Sequence, residues 1–231
     1  MSEITVNASD GGSFMAYVAE PASGSGPGVL VAQEIFGVNV VMRGICDDLA
    51  AQGYVAVCPD LFWRQQPGIQ ITDQTDEEWQ QAFKLYQGFD EDKGVDDLKA
   101  TLAAMRGMEA CAGKVGSVGY CLGGKLAYLM ATRSDADCNV CYYGVGIEAA
   151  LDEAGNIDEP LLMHIAEEDG FVDKPTQARI KQGLADNPLI TIHDYPGVDH
   201  AFARTEGVNW NPEAATLANS RTAAFLKQHL G

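Results

Sequence analysis

Short apolar runs alternate along the chain with longer stretches whose apolar residues recur at helical spacing. The runs are Gly28 to Ala32, Tyr54 to Cys58, Val115 to Val118, Cys138 to Gly144, Leu161 to Ile165 and Leu189 to Tyr195. An apolar run without polar alternation reads as a strand buried on both faces. Phe14 to Val18 reads as an earlier strand. Val40 to Ala51 puts Val41, Ile45 and Leu49 on one stripe and stops at Gly53, as a helix would. Asp73 to Gln87 is polar but carries Trp79, Phe83 and Tyr86 at helical spacing. Asp92 to Met108, Lys125 to Thr132, Pro175 to Asp186 and Asn211 to Leu230 complete the helices, and Leu61 to Ile71 is irregular. This alternation predicts an α/β fold, a mostly parallel central sheet with helices on both faces. Ligands in such sheets bind beyond the carboxyl ends of the strands. Glu34, Asp60, Cys121, Asp169 and His200 stand at those ends.

A chain of 231 residues, 46% hydrophobic and 21% charged, fits one domain spanning residues 1–231. The net charge of -18 argues against nucleic acid and anionic membrane as partners. No apolar run approaches the length of a membrane span. The N-terminus, Met1 to Val6, lacks the basic and apolar regions of a signal peptide. The six cysteines show no compact disulfide framework, which favours reduced thiols and a cytoplasmic location. Cys138 and Cys141 have redox-motif spacing but lie in a run that reads as a buried strand.

One stretch organises the rest: Gly119-Tyr120-Cys121-Leu122-Gly123-Gly124, between the apolar run Val115 to Val118 and the helical run Lys125 to Thr132. A strand-to-helix turn of the form Gly-x-Ser-x-Gly is a nucleophile elbow, and here Cys121 takes the serine's place. The sharp turn strains the central residue, and its glycines make room for the neighbouring strand and helix. A thiol at a helix N-terminus faces backbone N–H groups that favour its thiolate.

A cysteine nucleophile needs a base, and the base needs an orienting carboxylate. Of the four histidines, His164 lies inside an apolar strand, His193 lies mid-strand and His229 sits in the last helical turn. His200 follows the last strand in a loop and is the best-placed base. Asp169, before a glycine and just after the preceding strand, suits the acid; Asp173 reads as a helix N-cap instead. A carboxylate such as Glu34, at the end of a doubly buried strand, is costly without a partner. Beside Cys121 it would oppose the thiolate. The other reading is a structural carboxylate bonded to backbone N–H or to Arg43.

Together these residues resemble the dienelactone hydrolases (carboxymethylenebutenolidases), a branch of the α/β-hydrolase fold. The resemblance runs through Gln33 to Asn39, Cys58 to Leu61, Gly119 to Gly124, the Asp169 loop and Asp199 to Phe202. It implies Cys121 as nucleophile, His200 as base and Asp169 as its orienter. It implies an oxyanion hole from the backbone N–H groups of Leu122 and Ile35, and a part for Glu34 in activating the thiol. The reaction implied is hydrolysis of a small-molecule enol-lactone or ester through an acyl-enzyme, with no metal or organic cofactor. General esterase or thioesterase activity, or an idle binding module on the same fold, are the alternatives, and the oligomeric state is open, a monomer included.

The departures from the family bear on the substrate. In the family, two arginines, a tyrosine and a serine help bind a substrate carboxylate. Here Arg204 stands at one arginine, while Trp79, Phe83 and Ala201 replace the other arginine, the tyrosine and the serine. With Phe36 they form the expected substrate pocket. Trp, Phe and Ala cannot form a bidentate carboxylate clamp, so a less anionic substrate is expected.

Overall fold

The computed structural model describes residues 2–231. Its centre is an eight-stranded sheet in the order β1-β2-β4-β3-β5-β6-β7-β8. The strands are β1 (Ser2–Asn7), β2 (Ser13–Ala19), β3 (Gly26–Ala32), β4 (Val55–Pro59), β5 (Cys111–Tyr120), β6 (Asn139–Tyr142), β7 (Leu161–Ala166) and β8 (Ile190–Tyr195). From β4 to β8 all pairings are parallel; β1 and β2 pair antiparallel, and so do β2 and β4. The expected strands are all present, with shifted ends. β1 is the addition. Its burial alternates and only Val6 is buried, so it lacks the continuous apolar run that marks the central strands.

Among the described residues six helices cover the sheet: α1 (Val40–Ala51), α2 (Asp76–Gln87), α3 (Glu91–Arg106), α4 (Leu122–Arg133), α5 (Lys174–Leu184) and α6 (Pro212–Leu230). Polar caps set where they start. Asn39 accepts from the N–H groups of Val41 and Met42, Thr75 from Glu78, and Asp173 from Thr176, the last as its N-cap reading predicts. Because Thr75 begins α2, Asp73 falls outside the helix that the spacing had extended to it. A 3₁₀ segment, Ile147–Asn156, follows β6. α4 is buried from Leu122 to Thr132. It is the innermost helix, and it starts at the elbow.

The sheet also fixes where a ligand can bind. After β3 the chain moves to β4 on one side, and β5 returns on the other side of β3. Strand order reverses there, and the crevice beyond the carboxyl ends of β3 and β5 is the preferred ligand position. Glu34 and Ile35 follow β3, and Cys121 follows β5.

His164 is the satisfied core residue that its apolar strand suggested. Its Nδ1 lies 2.7 Å from the Tyr195 hydroxyl and its Nε2 2.9 Å from Thr222 Oγ1. Burial, with His193 and Arg221 nearby, pushes its pKa down to about 3. The unfolded chain therefore takes up a proton near pH 6.5 that the folded one refuses. Folding stability is expected to fall as the pH drops below about 6.5 and to keep falling toward about 3. Denaturant midpoints across that range, compared with those of His164→Gln, check it. An equal acid slope in both proteins would remove His164 as the cause.

Candidate active site

Cys121 sits at φ 55°, ψ -115°, a conformation that few non-glycine residues adopt. The packing around it accounts for the strain. A Cβ on Gly119 would lie 1.8 Å from the Gly123 carbonyl oxygen, and one on Gly123 would lie 2.1 Å from the Ala32 oxygen. α4 is thus pressed onto the ends of β3 and β5, and only glycine at both places lets the turn close. The Cys121 N–H donates to the Tyr142 carbonyl, and its own carbonyl accepts from Gly124 and Lys125. The N–H of Leu122 heads α4 with no acceptor inside the helix. Among the described residues neither this amide nor that of Ile35 is taken up elsewhere.

His200 and Asp169, on the loops after β8 and β7, meet at 2.9 Å between Nδ1 and Oδ2. The other Asp169 oxygen accepts from the N–H groups of Phe171 and Val172, which fixes the carboxylate. Both residues are buried. His200 Nε2 has no hydrogen-bond partner, and the ring shares a cavity with Cys121. Across that gap the two side chains act on each other through charge. Burial disfavours the charged imidazole, but negative charge at Cys121 together with Asp169 outweighs it and pushes the His200 pKa up to about 10.

Ile35, Trp79, Phe83, Tyr86, Val145 and Phe171 form the apolar walls of this cavity, and Arg204 also lines it. Trp79 and Phe83 stack at 5.4 Å, and Phe171 packs edge-on to His200 at 4.8 Å. Two expected pocket residues stand elsewhere. Phe36 is fully buried behind Trp79, and Ala201 is buried at φ 61°; neither lines the cavity.

Arg204 is not the free cation expected of it. Its Nε donates to Glu34 Oε2 at 2.6 Å and its Nη1 to Asp73 Oδ2 at 2.7 Å, with all three side chains buried. The partner of Glu34 is therefore Arg204 and not Arg43, which bonds the Val38 carbonyl and lies 3.8 Å from Glu3. Glu34 Oε1 is buried without a partner. Sequence reasoning did not assign Asp73, Val145, Tyr86 or Phe171 to the site. Tyr86 shares the helical stripe of Trp79 and Phe83, and Phe171 follows Asp169 by two, so both carried a signal. Asp73 and Val145 carried none, since only the tertiary fold brings their loops here.

This constellation can be set beside known proteins. A family model described as the dienelactone hydrolase family matches residues 14–230. A carboxymethylenebutenolidase of Pseudomonas putida is 44% identical over 96% of this chain and 94% of its own. A relative in Azospirillum brasilense, provisionally given the same name, is 54% identical over the whole of both chains. Among solved structures, a provisionally named dienelactone hydrolase from Klebsiella pneumoniae superposes with a TM-score of 0.86 at 26% identity, covering 98% of each chain. By family model, relatives and fold alike, the chain belongs to the dienelactone hydrolase family, α/β enzymes that hydrolyse ester and lactone bonds.

Proposed function

We propose that this enzyme cleaves a neutral, largely apolar ester or enol-lactone, with Cys121 as nucleophile, His200 as base and Asp169 as orienter, all within one domain. The observation that carries the chemistry is the strained Cys121 at the head of α4, sharing a cavity with an imidazole whose far nitrogen is held by a buried carboxylate. The thiolate attacks the acyl carbon and the carbonyl electrons move onto oxygen. The free N–H groups of Leu122 and Ile35 are the donors for that oxyanion. As it collapses, His200 gives its proton to the departing alkoxide and an acyl-enzyme remains. Water then attacks the thioester, His200 takes its proton, and the thiolate leaves. Mass spectrometry after mixing with p-nitrophenyl acetate should show one acetyl group on the peptide containing Cys121. An acetyl group on any other residue in its place would overturn this assignment.

Glu34 has an unpartnered buried oxygen, and its charge opposes a thiolate nearby while imidazolium favours one. Glu34→Gln is expected to shift iodoacetamide alkylation of the free enzyme to lower pH. An unmoved alkylation profile would leave Glu34 as the partner of Arg204 alone.

The charge around the cavity supports a neutral substrate. One guanidinium faces two buried carboxylates, so the Arg204 cluster is negative overall. The other cation on the lining, His200, is already engaged by Asp169 and Cys121, and the remaining walls are mostly aromatic and aliphatic. One charge-assisted hydrogen bond contributes about 1.5–3 kcal/mol to binding, and a carboxylated substrate would have to compete for it with Glu34 and Asp73. Specificity constants for a carboxylated lactone should be no higher than for a neutral ester of similar size. Strong selectivity for the carboxylate would refute the neutral class.

Size selection follows from the same walls. The space beside Cys121 is about 30 Å³, roughly what one water occupies in the liquid. Any ester needs more. The wall residues with most freedom to turn aside are Phe83 and Phe171, 37% and 49% exposed. Phe171→Ala is therefore expected to raise the specificity constant for a bulky aryl ester relative to the acetate, by roughly tenfold or more, since a single methylene of room contributes that much. An unchanged ratio would place size selection elsewhere.

A further inference from the structure

Tyr143 is a buried titratable residue to which the acyl-transfer steps give no part. It directly follows β6, at the carboxyl edge of the sheet, and its ring packs edge-on against His200 at 5.1 Å. It is 3% exposed, and its φ of 37° is one that residues with a side chain rarely adopt. Its N–H donates to the His164 carbonyl on β7, and the carbonyl just before it, on Tyr142, accepts from Cys121. The strained residue is thus held between β7 and the elbow. Strain of this kind persists only where the surrounding structure imposes it, and it clusters at reacting sites.

The Tyr143 hydroxyl is buried and, among the described residues, has no hydrogen-bond partner. A buried hydroxyl left unbonded is destabilising, so such groups are few. A second one stands beside it. Glu34 Oε1 is buried without a partner too, while Oε2 is held by Arg204 at 2.6 Å. The two are complementary, one a donor and the other an acceptor. Burial raises the Tyr143 pKa well above its usual range, the Glu34 charge adds to the rise, and Arg204 opposes it. The phenol therefore keeps its proton and can donate. Tyr120 and Tyr142 face it from β5 and β6, and burial keeps both of them neutral.

Ionisation of Cys121 changes the charge at this pair. Arg204 feels Glu34 and Cys121 alike, so carboxylate and thiolate share one cation and oppose each other. His200 balances the thiolate from the loop after β8, and the Tyr86 phenol faces it from α2. The free oxygen of Glu34 has the Tyr143 hydroxyl as its unbonded buried donor.

We infer that Tyr143 is a positioning residue of the reaction: when Cys121 ionises, its hydroxyl donates to Glu34 Oε1 and holds that carboxylate away from the thiolate, with Oε2 still on Arg204. The inference rests on Cys121 as nucleophile and on Glu34 as the charge that opposes it. Tyr143 does not line the cavity at Cys121, so it acts through Glu34 and not on the substrate.

The test is Tyr143→Phe in the full chain, alone and combined with Glu34→Gln. Phenylalanine keeps the ring on His200 and removes only a hydroxyl that the fold leaves unbonded, so the variant is expected to fold; Tyr143→Leu, which also lacks the hydroxyl, replaces it otherwise. The pH midpoint of iodoacetamide alkylation at Cys121 should rise by about one unit, the effect of one charge-assisted hydrogen bond. The acid limb of the kcat/KM profile for p-nitrophenyl acetate should move up with it, while the height of the plateau stays. Beside Glu34→Gln the same change should move neither, because the amide brings no charge to hold away. The inference is overturned if Tyr143→Phe leaves the midpoint in place or lowers it, if it depresses the plateau without moving the limb, or if the shift persists beside Glu34→Gln. Mass spectrometry of the acetylated proteins tells the two readings apart. An acetyl group on Cys121 together with an unmoved midpoint removes Tyr143 alone, whereas a parent enzyme acetylated elsewhere removes the nucleophile and this inference with it.

Discussion

Cys121→Ala is expected to lower kcat for ester hydrolysis by about 10⁴-fold or more, as removal of a nucleophile from a coupled triad does. His200→Ala and Asp169→Asn should each cost several decades. Combined with Cys121→Ala they should cost nothing further, because the three act as one unit. The other cysteines are buried and free, and each should be dispensable for turnover. The same variant tests the electrostatics. Cys121 is the largest of the influences that raise the His200 pKa. Without the thiolate, the imidazole should titrate well below about 10 in a histidine-detected NMR experiment. Because the folded pKa is the raised one, this pair stabilises the fold fully below about pH 6.5 and progressively less up to about 10. That alkaline loss should shrink in Cys121→Ala. Folded Cys121→Ala protein with near-parental turnover would end the mechanism, and an unmoved His200 titration would end the ion pair.

Arg204→Met should give the largest loss of stability, about 3–5 kcal/mol, the usual result of stripping one partner from a buried ion pair. Glu34 and Asp73 would then be two buried carboxylates with no cation. Burial opposes the Asp73 charge, but the Val208 N–H and Arg204 outweigh it and hold its pKa below the ordinary range. In the parent protein Asp73 therefore adds stability above about pH 3.8, lost as the pH falls through its lowered value. In Arg204→Met burial is opposed only by the Val208 N–H and the Gln74 amide, so the variant should recover stability on mild acidification as the carboxylates take up protons. Urea midpoints at two pH values decide it. A variant as stable as the parent at neutral pH would show that the cluster is not needed for folding. Glu34→Gln paired with Asp73→Asn in the Arg204→Met background should restore much of the loss, since neutral amides need no cation.

The fold and the proposed reacting residues were legible in the sequence because their signals are local. A strand buried on both faces must be apolar throughout, which is why β3, β4, β6 and β7 stood out and the half-exposed edge strand β1 did not. The elbow was legible because its backbone geometry admits only glycine at Gly119 and Gly123. His200 and Asp169 were legible through chain order, each following a strand whose end a parallel sheet turns toward one crevice. What only the tertiary structure decided is where charge and space lie between segments far apart in sequence. Arg204 carries the same guanidinium whether it faces a substrate or a protein carboxylate. Its engagement by Glu34 and Asp73, 170 and 131 residues away, depends on how three loops pack. The lack of room at Cys121 is likewise set by the packing of helices on a sheet. Local propensity fixes an element's type and its inward face, but not the volume left between elements or the partner that a buried charge finds there.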